Sequence, residues 1–404
     1  MNLPLPSFAL KLPLSKSIVN RILVLEFVCG RNPGVFYSRL DPECLCKDIV
    51  ELADALTALW NQLQAPDCRI VVEVNITEGA APLRFFIAAA ASTPGAVVNV
   101  RVAGRLAERP IVSLLDSLRS MGGEIAQKPL PGGYGLRIIG KRLKATDFKV
   151  DISQTSQFLS ALILVSPNID GWEEVKLPQG AVSSSYVFMT ETLVKNRNCD
   201  LFQFVEADWS AAANFFIWSL LFGCHIELMG LKEDSLQGDS FIATLYKSLG
   251  GLLTYTDKSV IIQPQTVYCD SSIVRSGTLS LPLGETPDLV PPLAVGLALG
   301  GIKYRLMGID HLRHKESDRI DVLIREMRKI GFVLRYSCGS LVWDGEHCIR
   351  LGIPLAPHGD HRMAMAFAFA ERKGLGAVID KEVVDKSYPL YWRHLSALPP
   401  LVNS

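Results

Sequence analysis

The chain has 404 residues, with 41 Lys+Arg against 41 Asp+Glu; 49% of its residues are hydrophobic and 20% are charged. That length exceeds one ordinary core and points to two domains or more. The composition excludes a disordered chain, and the neutral balance argues against a nucleic-acid-binding domain, which would carry net positive charge. The nine Cys are odd in number, and Cys44 and Cys46 form the closest pair without a second pair or a His partner at zinc spacing. Reduced, buried thiols are therefore expected, with no metal site. Apolar runs such as 215–222 are too short to span a bilayer. The beginning of the chain lacks the charged start and apolar core of a signal peptide, so a cytoplasmic protein without a membrane partner is expected.

In chain order, the first feature is Ser15-Lys16-Ser17 followed by Asn20-Arg21. Ser15 suits a helix N-cap, which would put Lys16 and Ser17 in the first turn and Arg21 one turn on. Strands are predicted at 71–74 and 97–102, with a buried Ala-rich helix at 82–91 between them. A helix at 110–121 stops at Gly122-Gly123 and leads into a hairpin of 124–126 with 134–139. Hydroxyls and amides at 151–157 then open an apolar helix at 158–165. A strand-like run ends near 205–208, where a very apolar helix at 211–222 begins. Further on come a helix at 241–249 with a strand at 252–254, and a helix at 318–327 with a strand at 332–334. Three times a helix runs into Gly before a strand pair: Met121-Gly122-Gly123, Leu249-Gly250-Gly251 and Ile330-Gly331. Such recurrence predicts a pseudo-symmetric α/β protein of duplicated βαβαββ blocks.

The remaining motifs are charged. His314 to Arg319 packs His314, Lys315, Glu316, Asp318 and Arg319 together; read as helix, it puts Lys315 and Arg319 on one face and Glu316 beside Arg319. Asp360-His361-Arg362 opens an apolar helix at 363–370, so its charges sit at a core edge, where they need a partner or a ligand. Glu108-Arg109-Pro110 and Asp385-Lys386-Ser387 complete the set. Local cations mixed with carboxylates and hydroxyls suit small, highly anionic substrates on which protons are moved.

In this order, these motifs resemble the enolpyruvyl transferases, and among them the 5-enolpyruvylshikimate-3-phosphate synthases. The match also takes in Ser156-Gln157-Phe158-Leu159, Pro287-Asp288 and Lys386-Ser387-Tyr388-Pro389, and it runs over nearly the whole chain. The resemblance implies a two-domain inside-out α/β barrel, each domain of three βαβαββ repeats around buried helices. Residues 1–15 with 207–404 would form one domain and 16–206 the inserted other, each carrying half of the site. The implied reaction moves the enolpyruvyl group of phosphoenolpyruvate to the 5-hydroxyl of shikimate 3-phosphate and releases phosphate, with no metal or other cofactor, in a monomer. Lys16, Arg109, Gln157, Arg319, Arg362 and Lys386 would surround phosphoenolpyruvate. Lys16, Ser17, Arg21, Thr155, Ser156, Gln157, Ser183, Tyr186, Asp288 and Lys315 would bind shikimate 3-phosphate. Asp288 would accept the hydroxyl proton, and Glu316 with Lys386 or Lys16 would protonate the methylene carbon. His361, Ala80 and Arg84 would edge the site.

One loop departs from the family pattern. Where the family has Asn-Ala-Gly-Thr-Ala-x-Arg, this chain reads Glu78-Gly79-Ala80-Ala81-Pro82-Leu83-Arg84. An acid near an anion site is unfavourable unless it faces a cation, and the Ala80 methyl takes room that Gly leaves free. In the family that exchange accompanies insensitivity to glyphosate. The loop also supports an alternative, a paralogue of this fold that binds without turnover. The enzymes acting on UDP-N-acetylglucosamine fit less well: they carry Lys-Asn where Lys16-Ser17 stands, and a Gly-Cys loop that is missing here.

Overall fold

The alternation of all-round apolar helices with one-sided helices and short strands decides the architecture. The computed structural model describes residues 8–65, 70–77, 79–145, 150–151, 155–173, 184–265 and 277–398. The chain divides into two compact units, Met1–Leu14 with Glu206–Ser404, and Ser15–Val205. Strand β1 (Phe8–Lys11) belongs to the first of these.

The inserted unit contains α1 (Lys16–Val28), α2 (Pro33–Tyr37), α3 (Lys47–Gln64), β2 (Val72–Asn75), α4 (Ala80–Ala91), β3 (Val97–Ala103), α5 (Val112–Ser120), β4 (Glu124–Leu130), β5 (Gly133–Ile139), β6 (Leu143–Lys144), α6 (Gln157–Val165), β7 (Ile169–Asp170) and α7 (Ser184–Lys195). Its four-stranded sheet runs β2-β3-β5-β4, with the first pair parallel and the others antiparallel. That is one βαβαββ block, with α4 and α5 as its crossovers. Val98, Val100 and Val102 of β3 turn to the core while Arg101 stays in solvent, as expected of a sheet with one wet face. The short pair β6 and β7 is also parallel. Helices α1, α4 and α6 pack on one another and are buried nearly all round, so the sheets lie outside and the apolar helices inside.

The other unit repeats the plan. It holds α8 (Trp209–Phe222), β8 (Ile226–Met229), α9 (Phe241–Ser248), β9 (Gly251–Tyr255), β10 (Ser259–Pro264), β11 (Leu279–Pro282), α10 (Val290–Leu299), β12 (Tyr304–Met307), α11 (Arg319–Lys329), β13 (Arg335–Ser337), β14 (Ser340–Trp343), α12 (His361–Arg372) and α13 (Tyr391–Ala397). The sheets run β1-β8-β10-β9 and β11-β12-β14-β13, each with one parallel pair and two antiparallel pairs. Helices α8, α10 and α12 form the buried centre, while α9 and α11 bury one face. Gly296 shows how closely α10 packs: a Cβ there would lie 2.1 Å from Ile217 Cγ2 of α8. The expected two-domain inside-out α/β barrel with buried helices is the fold.

Some local expectations fail. Residues 332–334 are not a strand: Phe332 makes an isolated bridge to His347, and pairing starts only at Arg335. Residues 315–318 are not helical either. A 3-10 turn spans Asp310–His314, Lys315 is extended, and Asp318 caps α11 by accepting from the Asp321 amide at 3.1 Å. The segment 201–204 before residue 205 is a 3-10 turn rather than a strand. Buried thiols are found at Cys44, Cys46 and Cys224, whereas Cys199 and Cys338 are exposed.

Candidate active site

The buried helices α1, α6 and α12 begin with polar residues, so backbone N–H groups and polar or charged side chains gather at those ends. In the inserted unit, α1 opens with Lys16, whose Nζ lies 3.6 Å from Asp48 Oδ2 in the first turn of α3. Ser15 holds the N-cap position, but its hydroxyl makes no cap hydrogen bond. One turn on, Arg21 is 3% exposed. It donates to Thr190 Oγ1 at 2.7 Å, the Ser17 carbonyl at 2.7 Å, the Tyr186 carbonyl at 3.3 Å and Ser160 Oγ at 3.4 Å, and it lies over the Phe85 and Tyr186 rings. Arg84 of α4 donates to Gln157 Oε1 and to the Pro110 carbonyl, each at 2.5 Å, and covers Phe158. Among the described residues, the hydrogen-bond partners of both guanidiniums are neutral. Burial lowers Arg21 to about 10. Burial, then the charge of Arg109, lowers Arg84 to about 9. Buried positive charge matched only by neutral acceptors favours an incoming anion. Thr155 Oγ1 accepts from the Gln157 amide at 3.3 Å just ahead of α6, and the N-cap residue of that helix, Ser156, is buried without a side-chain cap hydrogen bond.

In the other unit, four charged residues form a continuous chain. Arg319, the first residue of α11, donates from Nε to Asp360 Oδ2 at 2.7 Å and from Nη1 to Asp288 Oδ1 at 2.8 Å. Arg362 Nη2 reaches the other Asp288 oxygen at 2.7 Å. Asp360 caps α12 through the Arg362 amide at 3.0 Å and accepts from Ser317 Oγ at 3.3 Å. Burial opposes the charge on Asp288, but Arg362, Arg319 and Lys315 outweigh it and hold the carboxyl far below the ordinary range. Burial likewise opposes the charge of Arg319, and Asp360 and Asp288 more than restore it.

Beside this chain stands a second group. Glu316 Oε2 accepts from Lys386 Nζ at 2.8 Å and lies 2.9 Å from His361 Nδ1. Lys386 also donates to the Gly359 carbonyl at 3.4 Å. Ligand-type atoms of Glu316, Asp360 and His361 come within 4.8 Å of one another. Lys386 and Arg319 already balance the two acids, which suits proton movement better than a divalent ion.

A family profile described as EPSP synthase (3-phosphoshikimate 1-carboxyvinyltransferase) matches residues 9–203 and 195–395. The chain belongs to the EPSP synthase family. A 3-phosphoshikimate 1-carboxyvinyltransferase of Bacteroides fragilis (strain YCH46) is 32% identical, covering 96% of this chain and 94% of its own. One from Syntrophobacter fumaroxidans is 29% identical, covering 96% of each. In fold, the chain is similar to EPSP synthase from Acinetobacter baumannii, with a TM-score of 0.65, 16% identity and coverage of 98% and 96%. It is also similar to the enolpyruvyl transferase NikO from Streptomyces tendae, with a TM-score of 0.59, 12% identity and coverage of 97% and 95%.

Within this EPSP synthase family chain, the residues singled out from sequence fall into two groups. Lys16, Ser17, Arg21, Ala80, Arg84, Arg109, Thr155, Ser156, Gln157 and Tyr186 belong to the inserted unit. Asp288, Lys315, Glu316, Arg319, His361, Arg362 and Lys386 belong to the other. Ser183 and Glu78 lie outside the described residues. Lys315 and Glu316 share a unit with Arg319 but not a helix face, because Asp318 starts the helix after them.

Sequence reasoning missed Asp239 and His311. His311 is 8% exposed, and neither ring nitrogen has a hydrogen-bond partner among the described residues. Burial, then Lys315, pushes it down to about 4, so the ring is neutral at pH 7. Asp239 is 3% exposed and accepts from Ser210 Oγ. Burial, then the negative Asp288, raises it to about 7, against Arg362 and Ser210. Neither residue stands in a pattern that betrays burial beside charge.

The sign of the Asp239 effect is definite. A folded-state value raised above the unfolded one means that folding takes up a proton between about pH 4 and pH 7, so this contribution to stability falls as pH rises through that window. Asp239→Asn is expected to remove the decline and to be the more stable protein at pH 8, by on the order of a few kcal/mol. Urea unfolding at pH 5 and pH 8 reads it; equal pH dependence in both proteins would refute it.

Proposed function

We propose that this chain, as a member of the EPSP synthase family, transfers the enolpyruvyl group of phosphoenolpyruvate to the 5-hydroxyl of shikimate 3-phosphate through the residues named above. Lys16, Arg109, Gln157, Arg319, Arg362 and Lys386 hold phosphoenolpyruvate. Lys16, Ser17, Arg21, Thr155, Ser156, Gln157, Ser183, Tyr186, Asp288 and Lys315 hold shikimate 3-phosphate. Two phosphates and two carboxylates call for this density of cations, and Arg gives forked contacts.

The reaction begins when Glu316 with Lys386, or Lys16, delivers a proton to the methylene carbon, leaving the adjacent carbon cationic. The 5-hydroxyl oxygen bonds to that carbon and its proton passes to Asp288. Asp288 is a weak base, held between two guanidiniums, yet a weak base suffices because attack on a cationic carbon makes the hydroxyl strongly acidic. The C–O bond to phosphate then breaks, the new methyl group returns a proton, and phosphate leaves against the cation cluster. Side chains supply every acid, base and counter-charge in this scheme.

The observation that carries the reading is the Arg319–Asp288–Arg362 bridge beside the Glu316–Lys386 pair. Complementation of a bacterium lacking 3-phosphoshikimate 1-carboxyvinyltransferase tests it: growth without aromatic amino acids is expected, and failure by a soluble, well-expressed protein would count against it. In this reading one chain is sufficient and acts in the cytoplasm, so the mass in solution should be that of the monomer. No helix among the described residues is long and apolar enough to cross a membrane.

Ala80, the first residue of α4, is buried. Its methyl group occupies the position where a Gly leaves space, so glyphosate is expected to inhibit weakly. Steady-state inhibition against phosphoenolpyruvate checks this; potent competitive inhibition would contradict it.

A further inference from the structure

Helix α11 buries two charged residues seven positions apart, Arg319 and Glu326, which two helical turns place on one face. Arg319 grips Asp360. Glu326, whose side chain is 0% exposed, grips the segment just before it. Its Oε2 accepts from the Ala356 amide at 2.9 Å and from Lys329 Nζ at 2.5 Å. Its Oε1 lies 3.0 Å from His358 Nε2 and 3.3 Å from Arg325 Nε. The segment 356–360 is thus fastened to α11 at two points.

The fastened segment is conformationally costly. His358 has φ +53 and Gly359 has φ +75. A non-glycine residue in that region persists where its surroundings over-determine it, and here the imidazole, with its proton on Nε2, donates to Glu326 Oε1 at 3.0 Å. A buried carboxylate is also a poor choice for stability alone, since an apolar side chain of similar volume often does as well. Burial works against the charge of Glu326, while the Ala356 amide, Lys329 and His358 outweigh it and keep the carboxyl below its ordinary range. Immediately after this turn come the Gly359 carbonyl used by Lys386, then Asp360 and Arg362.

We propose that Glu326 is a positioning residue: through the Ala356–His358 turn it fixes Asp360, Arg362 and the carbonyl that orients Lys386, without touching substrate. This rests on the reading above that Arg319, Arg362 and Lys386 hold phosphoenolpyruvate. It assigns to Glu326 a selective effect on one substrate.

The test uses Glu326→Gln, Glu326→Met and His358→Gly. The last keeps the left-handed backbone and removes the imidazole, so it serves if the Glu326 variants fail to fold. Amide exchange over 355–361 should quicken in each variant. The KM for phosphoenolpyruvate should rise about tenfold in Glu326→Met, as expected for loss of one charge-assisted hydrogen-bond anchor. The KM for shikimate 3-phosphate should stay within about twofold, and Glu326→Gln should recover part of the loss. Faster exchange with unchanged KM values would overturn the proposal, as would a proportional change toward both substrates. If the wild-type protein shows no turnover, the functional reading fails on its own, and affinity for phosphoenolpyruvate by calorimetry decides the positioning role. A loss in the variants supports that role, and an unchanged affinity overturns it.

Discussion

Asp288→Asn is expected to lower turnover by about 10²–10⁴-fold, the usual contribution of a positioned proton acceptor. The amide keeps the shape and the capacity to accept from one guanidinium, so substrate affinity should change far less than kcat. The mechanism assigns Asp288 a role in the bond-forming step, and a loss confined to kcat is the signature of an interaction made in the transition state. Single-turnover phosphate release by a variant saturated with both substrates checks it. Retention of turnover within about fivefold would remove Asp288 from the proton path. The alternative acceptors near it, His311 and Asp239, would then become the candidates.

Arg319→Met is expected to cost stability as well as activity. It leaves Asp360, with a 0% exposed side chain, and Asp288, with a 17% exposed one, without the cation that now joins them. Breaking a buried ion pair from one side costs about 3–5 kcal/mol. The pH dependence has a definite sign. Burial works against the charge on Asp288, but Arg362, Arg319 and Lys315 depress its carboxyl in the folded state. A depressed carboxyl contributes stability that is fully present above its unfolded value, about 4, and is lost as pH falls toward its folded value. The gap between wild type and variant should therefore be widest at pH 7 and narrow below about pH 4. Urea unfolding at neutral and acid pH measures this, and a gap that widens in acid would contradict it.

The fold is legible where one segment carries a decisive pattern. Helices α8 and α4 are apolar nearly all round, as a buried helix is. The Gly residues after α5, α9 and α11 take positive φ at Gly122, Gly250 and Gly331, a backbone state that glycine adopts freely. Those stops mark the recurring block. The charged segment 314–319 misleads because helical spacing of Lys315, Glu316 and Arg319 is also what a turn followed by an Asp318 cap produces. Phe332 to Leu334 are apolar and β-prone, yet their neighbours pair only from Arg335. In the site, cations beside apolar helices can be recognised from sequence. The pairing of Arg319 with two different carboxylates cannot, since Asp288 and Asp360 are 72 residues apart in the chain (360 − 288) and meet only in the fold. Burial of Asp239, His311 and Glu326 is likewise a property of packing, with no local signature.

The most direct measurement is phosphate release by the purified protein given shikimate 3-phosphate and phosphoenolpyruvate, with Asp288→Asn alongside. The account predicts release that requires both substrates and falls steeply in the variant. Binding of shikimate 3-phosphate without any release would contradict it, and would mark the chain as a member of the family that holds its ligand without turning it over.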